Sequence, residues 1–211
     1  MVTSSDSADR SSPQTPAAVL DAAQTLFLRH GYAGVNLDKI AKHAGVARQT
    51  LYNNFGSKEA LFRAMLTRHW DKLRALDTDP SADSHPPAEI ALREFASGIT
   101  DFIDSTDQID FIRLVIAESR HSPWIAEEFY RVGKAPLLRS LVGRLDALVA
   151  DGQLACPSTE LAAHQFFGLI QELLLWPRVM NIGEATAALP DAATVVDEAV
   201  LTFLARYQPT P

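Results

Sequence analysis

From Asn36 to Lys58 the chain reads NLDKIAKHAGVARQTLYNNFGSK, and the order of small, apolar and polar residues in this window decides the fold. Two short helices joined by a tight turn need a small residue where they cross, a turn residue that accepts positive φ, and apolar residues that lock the pair. Ala41 is small at the crossing, Gly45 supplies the turn, and Ile40, Ala44, Val46 and Leu51 supply the lock. Asn36 suits the N-cap of the first helix, Leu37 to Ala44, and Asp38 falls in its first turn, where the helix dipole favours a carboxylate. The second helix, from about Ala47 to Asn54, turns Arg48, Gln49, Thr50, Tyr52, Asn53 and Asn54 outward. An ordinary helical hairpin has no need of a basic, amide-rich face kept clear of apolar residues. A helix-turn-helix that reads DNA does.

Upstream, Val19, Ala22, Ala23, Leu26 and Phe27 recur at helical spacing, and Gly31 suits the stop after His30. Residues 1–15 are Ser, Thr, Asp, Pro and Gln with almost nothing apolar, which predicts a disordered arm from which Arg10 is a candidate DNA contact. Downstream, Ser57 caps a helix from Lys58 to about Ala75, and residues 77–87 have the composition of a linker. Pro87 opens a fifth helix that carries Ala91, Phe95, Ile99, Phe102 and Ile103 on one side. Phe111 to Ala117 is a dense apolar run that periodicity alone leaves open between buried strand and buried helix; its continuation to Arg120 and the lack of a partner strand favour helix. Further helices are expected from Ser122-Pro123 to about Val132, from 134 to 150, from Thr159 to about Trp176 with Pro177 behind it, and around Val196 to Leu204. The expectation is an all-α chain of about nine or ten helices: an N-terminal three-helix helix-turn-helix domain over 16–60 and a larger helical effector-binding and dimerisation domain over 61–208.

The net charge of −7 argues at first against nucleic acid, but its distribution argues for it. Residues 1–75 hold ten Lys and Arg against six acids, a balance of +4; residues 76–211 hold nine against twenty, a balance of −11. One part is suited to phosphates and the other is not. With 47% hydrophobic residues there is enough to bury a core, and no apolar stretch approaches the roughly 20 residues a membrane helix requires. The polar start lacks the apolar centre of a secretion signal, so a cytoplasmic address and no membrane partner are expected. The single cysteine, Cys156, excludes an internal disulfide and reads as a small loop residue before Pro157.

The run IAKHAGVARQTLYNNFGSKEALF, together with AAQTLFLRHGYAGV before it, resembles the TetR/AcrR family of regulators over residues 17–66, and the stretch 111–130 resembles the AefR-like subset of C-terminal domains. One departure stands out: Ala47 lies where many members carry a Ser or Thr that caps the recognition helix. The resemblance implies that two subunits place recognition helices in successive major grooves of a palindromic double-stranded operator. On that geometry Arg48 is suited to guanine, Gln49 or Asn53 to adenine or phosphate, and Thr50 to a thymine methyl or phosphate. Tyr52, Asn54 and Lys58 match family positions that grip the backbone, Lys58 beside a helix N-terminus that itself attracts phosphate, and Asn36 resembles a further phosphate contact.

The family also implies a homodimer. The helices of 134–150 and 159–176 are the candidate bundle, with Leu138, Leu141, Leu145, Phe166, Phe167, Ile170 and Leu174 as its contacts; the second is apolar around most of its circumference and so must be covered on most sides. A small hydrophobic or aromatic effector is implied, bound among the helices of 58–75, 88–104, 108–120, 123–132 and 159–176. Phe95, Phe102, Trp124, Phe129 and Trp176 are candidate lining residues, with Arg113, Glu118 and His121 as polar anchors. Glu118 and His121 stand three apart on one face, as a metal pair would, but no third ligand converges on them, so neither a metal nor a cofactor is expected. No phosphate loop, metal cluster or nucleophile motif supports an enzyme. An architectural DNA-coating protein is the competing reading, and the sign of regulation stays open between repression and activation.

Overall fold

A computed structural model describes residues 16–73 and 86–209, except the side chains of residues 185 and 186. The proposed arm of residues 1–15 with Arg10, the last turn expected of the helix to Ala75, and most of the proposed linker lie outside the described residues. The chain divides into two compact units, residues 1–65 and 66–211.

The first unit contains α1 (Pro16–His30), α2 (Leu37–Ala44), α3 (Arg48–Phe55) and the start of α4 (Lys58–Asp71). Val19, Ala22, Ala23 and Phe27 of α1 face inward, because positions three and four apart share one side of a helix. They meet Ile40, Ala41, Leu51, Leu61 and Phe62, all buried. An aromatic cluster closes this core: Phe62 lies edge-on to Phe27 at 5.2 Å and to Tyr32 at 5.1 Å, the geometry that ring quadrupoles favour.

The second unit contains the rest of α4, then α5 (Ala88–Ser105), α6 (Gln108–Ser119), α7 (Pro123–Phe129), α8 (Ala135–Ala150), α9 (Thr159–Leu174), α10 (Trp176–Val179), α11 (Gly183–Ala187) and α12 (Ala192–Tyr207). Among the described residues every regular element is helical, and ten of the α-helices have seven residues or more, in keeping with the nine or ten expected. Helix α5 packs on α12, α12 on α9 and α9 on α8. Phe95, Phe166, Phe167 and Phe203 fill the space between them, with Phe95 edge-on to Phe167 at 5.9 Å and Phe166 edge-on to Phe203 at 5.2 Å. Ser158 caps α9 by accepting from the Leu161 N–H at 3.2 Å, and Asp191 caps α12 by accepting from the Thr194 N–H at 2.8 Å.

Three expectations change here. The helix expected from Thr159 to Trp176 ends at Leu174, and two short helices, α10 and α11, follow. Pro177, in the first turn of α10, has no N–H to continue the ladder and disfavours a helical residue before it. The break expected at Gly133 is instead a π-helical turn, Tyr130–Lys134, that joins α7 to α8 without interruption. Gly133 is there for close approach: a Cβ at this position would lie 1.9 Å from Trp70 Cε2. Lastly, Leu138, Leu141, Leu145, Phe166, Phe167 and Ile170, expected at a dimer interface, are buried within the chain's own core, and Leu174 is half-buried. Within the single chain the α8 stripe packs toward α9 and α5, and the α9 stripe toward α8 and α12.

Candidate nucleic-acid interface and cavity

Helix α2 is fixed at both ends. Asn36 Oδ1 accepts from the Lys39 N–H at 2.9 Å, and Gly45, at φ 67°, turns its N–H back to the carbonyls of Ala41 and Lys42. This places α3 with Leu51 alone buried on it. Arg48, Gln49, Tyr52, Asn53 and Asn54 are exposed, and Thr50 is half-buried. Ala47 makes no side-chain cap bond, as an alanine must.

Two of these side chains are already engaged. The Arg48 guanidinium bonds Asp38 Oδ1 through Nε at 2.9 Å and reaches the Tyr52 hydroxyl at 3.4 Å. These contacts, Tyr52 first and Asp38 next, raise its pKa above the ordinary arginine value. Both Arg48 and Asp38 are more than half exposed, so the pair is screened by solvent and contributes little to stability. Gln49 Nε2 donates to Asn53 Oδ1 at 2.9 Å, one helical turn on. Ser57 caps α4 by accepting from the Ala60 N–H at 3.0 Å. At the first position of that helix, Lys58 holds its ammonium 4.2 Å from the Tyr32 ring centre, a cation–π seat at a helix N-terminus. The roles of Asp38 as a partner of Arg48 and of Tyr32 as the platform for Lys58 were not read from the sequence. The Asp38 link was within reach, since Asp38 was placed in the first turn of α2.

In the second unit, Trp70, Phe102, Phe129 and Trp176 line a cavity of about 250 Å³, joined by Gln108 and Lys134 among others. The Trp70 and Phe102 rings stack at 5.3 Å, and Phe129 meets Trp70 at 5.1 Å. Phe102, Phe129 and Trp176 were expected to line a pocket; Trp70, Gln108 and Lys134 were missed. Trp70 reads in the sequence as one more apolar position of α4, and Lys134 as one more solvated lysine. The other expected lining residues lie elsewhere. Phe95 is core, Trp124 is half-buried on α7, Glu118 is half-buried on α6 and His121 is exposed. Arg113 is a structural staple, donating from Nε to the Val179 carbonyl at 3.0 Å and from Nη2 to the Arg178 carbonyl at 2.6 Å. Behind the cavity, His69 Nε2 and Gln108 Oε1 are 2.7 Å apart, and burial pushes the His69 pKa down to about 4. Among the described residues no group of three metal-binding side chains converges.

A separate groove, about 610 Å³ and almost wholly apolar, runs between α9 and α12, lined by Leu169, Leu173 and Phe203 among others. Leu173 of its lining is 36% exposed, and on the same two helices Leu161 is 57% exposed and Leu201 51% exposed.

Residues 19–65 match the family described as bacterial regulatory proteins, tetR family, and residues 90–209 match the AefR-like transcriptional repressor C-terminal domain. The HTH-type transcriptional repressor ComR of Escherichia coli is 34% identical over 90 residues, 43% of each chain. The HTH-type transcriptional activator FasR of Mycolicibacterium smegmatis is 44% identical over 55 residues, 26% of this chain and 25% of its own. The matched region thus spans less than half of either curated relative. Among solved structures, the flavonoid-responsive regulator FrrA superposes with a TM-score of 0.74 at 30% identity, covering 93% of this chain and 98% of that one. FadR from Bacillus subtilis, solved with stearoyl-CoA, superposes with a TM-score of 0.68 at 21% identity, covering 90% of this chain and 97% of that one, which is a likeness of fold alone.

Proposed function

We propose, for a chain that belongs to the TetR family of bacterial regulatory proteins with an AefR-like repressor C-terminal domain, that it is a cytoplasmic transcriptional repressor which binds a palindromic operator as a homodimer and lets go when a small effector binds. The observation that supports this best is α3, an eight-residue helix that buries Leu51 alone and leaves five polar side chains exposed beside a basic helix start. On this reading residues 16–60 read DNA and residues 61–208 bind effector and partner. Arg48, Gln49, Thr50 and Asn53 face bases, while Asn36, Tyr52, Asn54 and Lys58 hold phosphates. The relatives are regulators rather than enzymes, and catalysis forms no part of the proposal. Among the described residues no helix is long and apolar enough to cross a membrane.

The partner surface is assigned to α9 and α12, in place of the 134–150 stripe. Leu161, Leu173 and Leu201 are large apolar side chains left in water on these two helices, Leu173 in the apolar groove between them, and a second copy that brings the same surface would cover them by two-fold symmetry.

The test is selection of bound duplexes from a random library by the full-length protein. The expected result is a single palindrome whose half-sites lie one helical turn, or a multiple of it, apart. Recovery of unrelated sequences at moderate salt would refute sequence-specific regulation and favour the architectural reading.

A further inference from the structure

The cavity behind Trp70 carries chemistry that names its occupant more closely than "hydrophobic". Lys134 lines it and pairs with no carboxylate among the described residues; its Nζ has Gln171 Oε1 at 3.4 Å and the Phe167 ring centre at 3.7 Å. None of the lining side chains is acidic. Burial pushes the Lys134 pKa down to about 8, so the ammonium stays charged at neutral pH against a desolvation cost. Nearby, Trp70 Nε1 is buried with no hydrogen-bond partner. Its bonded carbon, Cε2, is the Trp70 atom closest to where a Gly133 Cβ would stand, so this N–H lies beside the residue preceding Lys134. An unsatisfied buried donor is costly until an acceptor arrives.

Size narrows the choice further. An apolar cavity of about 150 Å³ already holds benzene, and this one offers about 250 Å³. One ring and a side chain of a few atoms fit within it. Four of the lining side chains, Trp70, Phe102, Phe129 and Trp176, are aromatic, which favours a flat ring over a flexible chain.

We propose that this cavity binds a single-ring aromatic carboxylate, its ring among Trp70, Phe102, Phe129 and Trp176 and its carboxylate on the Lys134 ammonium. This rests on the effector-responsive reading above and specifies the effector's class. Trp70 belongs to the same helix, α4, that begins with Lys58, so the ligand touches the helix that carries a DNA-facing residue.

The experiment is calorimetric titration of the full-length protein with cinnamate, with cinnamamide as its uncharged counterpart and octanoate as an acid without a ring. A charge-assisted bond is roughly twice as strong as a neutral one, so cinnamate should bind about tenfold more tightly than cinnamamide, and octanoate should be weaker than cinnamate. Lys134→Met should erase the preference for cinnamate while leaving cinnamamide within about threefold, and Lys134→Arg should keep it. Equal or tighter binding of cinnamamide or octanoate overturns the assignment. So does an unchanged cinnamate affinity in Lys134→Met, or no binding of cinnamate at millimolar concentration. Release of the selected operator duplex is scored separately. Cinnamate that binds through Lys134 but does not release DNA leaves the ligand class standing and refutes effector control. Release by uncharged compounds alone does the reverse.

Discussion

His69 makes the second unit sensitive to acid. It is 1% exposed, stacked on Phe111 at 4.0 Å and bonded to Gln108. Desolvation outweighs the Gln108 bond and nearby Asp107, with Lys72 adding to it, and lowers the pKa from 6.5 to about 4. The folded state therefore holds the ring neutral while the unfolded state takes up a proton below pH 6.5. Stability is fully present above pH 6.5 and is lost progressively as pH falls toward 4, because there the unfolded chain binds more protons. The whole depression is worth about 3 kcal/mol, of which about 2 kcal/mol is lost between pH 7 and pH 5. Urea unfolding of the full-length protein at those two pH values measures it. With a slope near 2 kcal/mol per molar, the loss moves the midpoint by roughly 1 M. Carboxylates elsewhere also respond to acid, so the comparison is with His69→Gln, which keeps an amide able to meet Gln108 but does not titrate. The variant should lose about 2 kcal/mol less than the parent over the same interval. Equal losses in the two proteins would refute the buried neutral imidazole.

Four further outcomes are expected. Lys58→Ala should weaken all duplexes alike and lower the log–log salt slope by about 0.9, whereas Arg48→Ala should cost about 1–3 kcal/mol on the operator and little on a scrambled duplex; equal losses on both duplexes for both variants would end this division. Gly133→Ala drives a methyl into Trp70 and should destabilise by about 1–3 kcal/mol, read as a lower urea midpoint; an unchanged midpoint would mean that the π turn opens freely. Leu201→Glu puts a charge on the exposed face of α12 and should convert the proposed dimer to monomer in sedimentation, with circular dichroism unchanged; a variant that stays dimeric would move the interface elsewhere. Asp38→Asn breaks a screened pair, so operator affinity should rise modestly in binding titrations; a fall would show that Asp38 positions Arg48 rather than occupies it.

Local rules carried most of the reading. The Asn36 cap, the Gly45 turn, the Ser57 cap and the inward stripe of α1 are settled by residues within one or two turns of each other, and each stands where the spacing put it. What the sequence did not yield depends on distant packing. Within the π turn, Trp70, some sixty residues away, takes the space where Gly133 has no side chain. The stripe from Leu138 to Leu145 faces inward because α5 and α9 lie against it, and periodicity shows that a face is covered without showing what covers it. Lys134 escaped notice for the same reason: nothing nearby in the chain announces that its stem and head enter an aromatic cavity. In the candidate DNA face the residue types were legible, while the Arg48–Asp38 contact required two helices to be set at their observed spacing.

That contact has a consequence for how the protein would search a genome. A side chain that rests on an internal carboxylate gains little by exchanging it for one passing phosphate oxygen, since one anionic acceptor merely replaces another. Guanine offers two acceptors in the plane of the guanidinium, a better bargain than Asp38 provides. On the proposed reading Arg48 rests on this carboxylate over random sequence, where it adds little, and leaves it only for a guanine, so the side chain serves selectivity rather than general affinity.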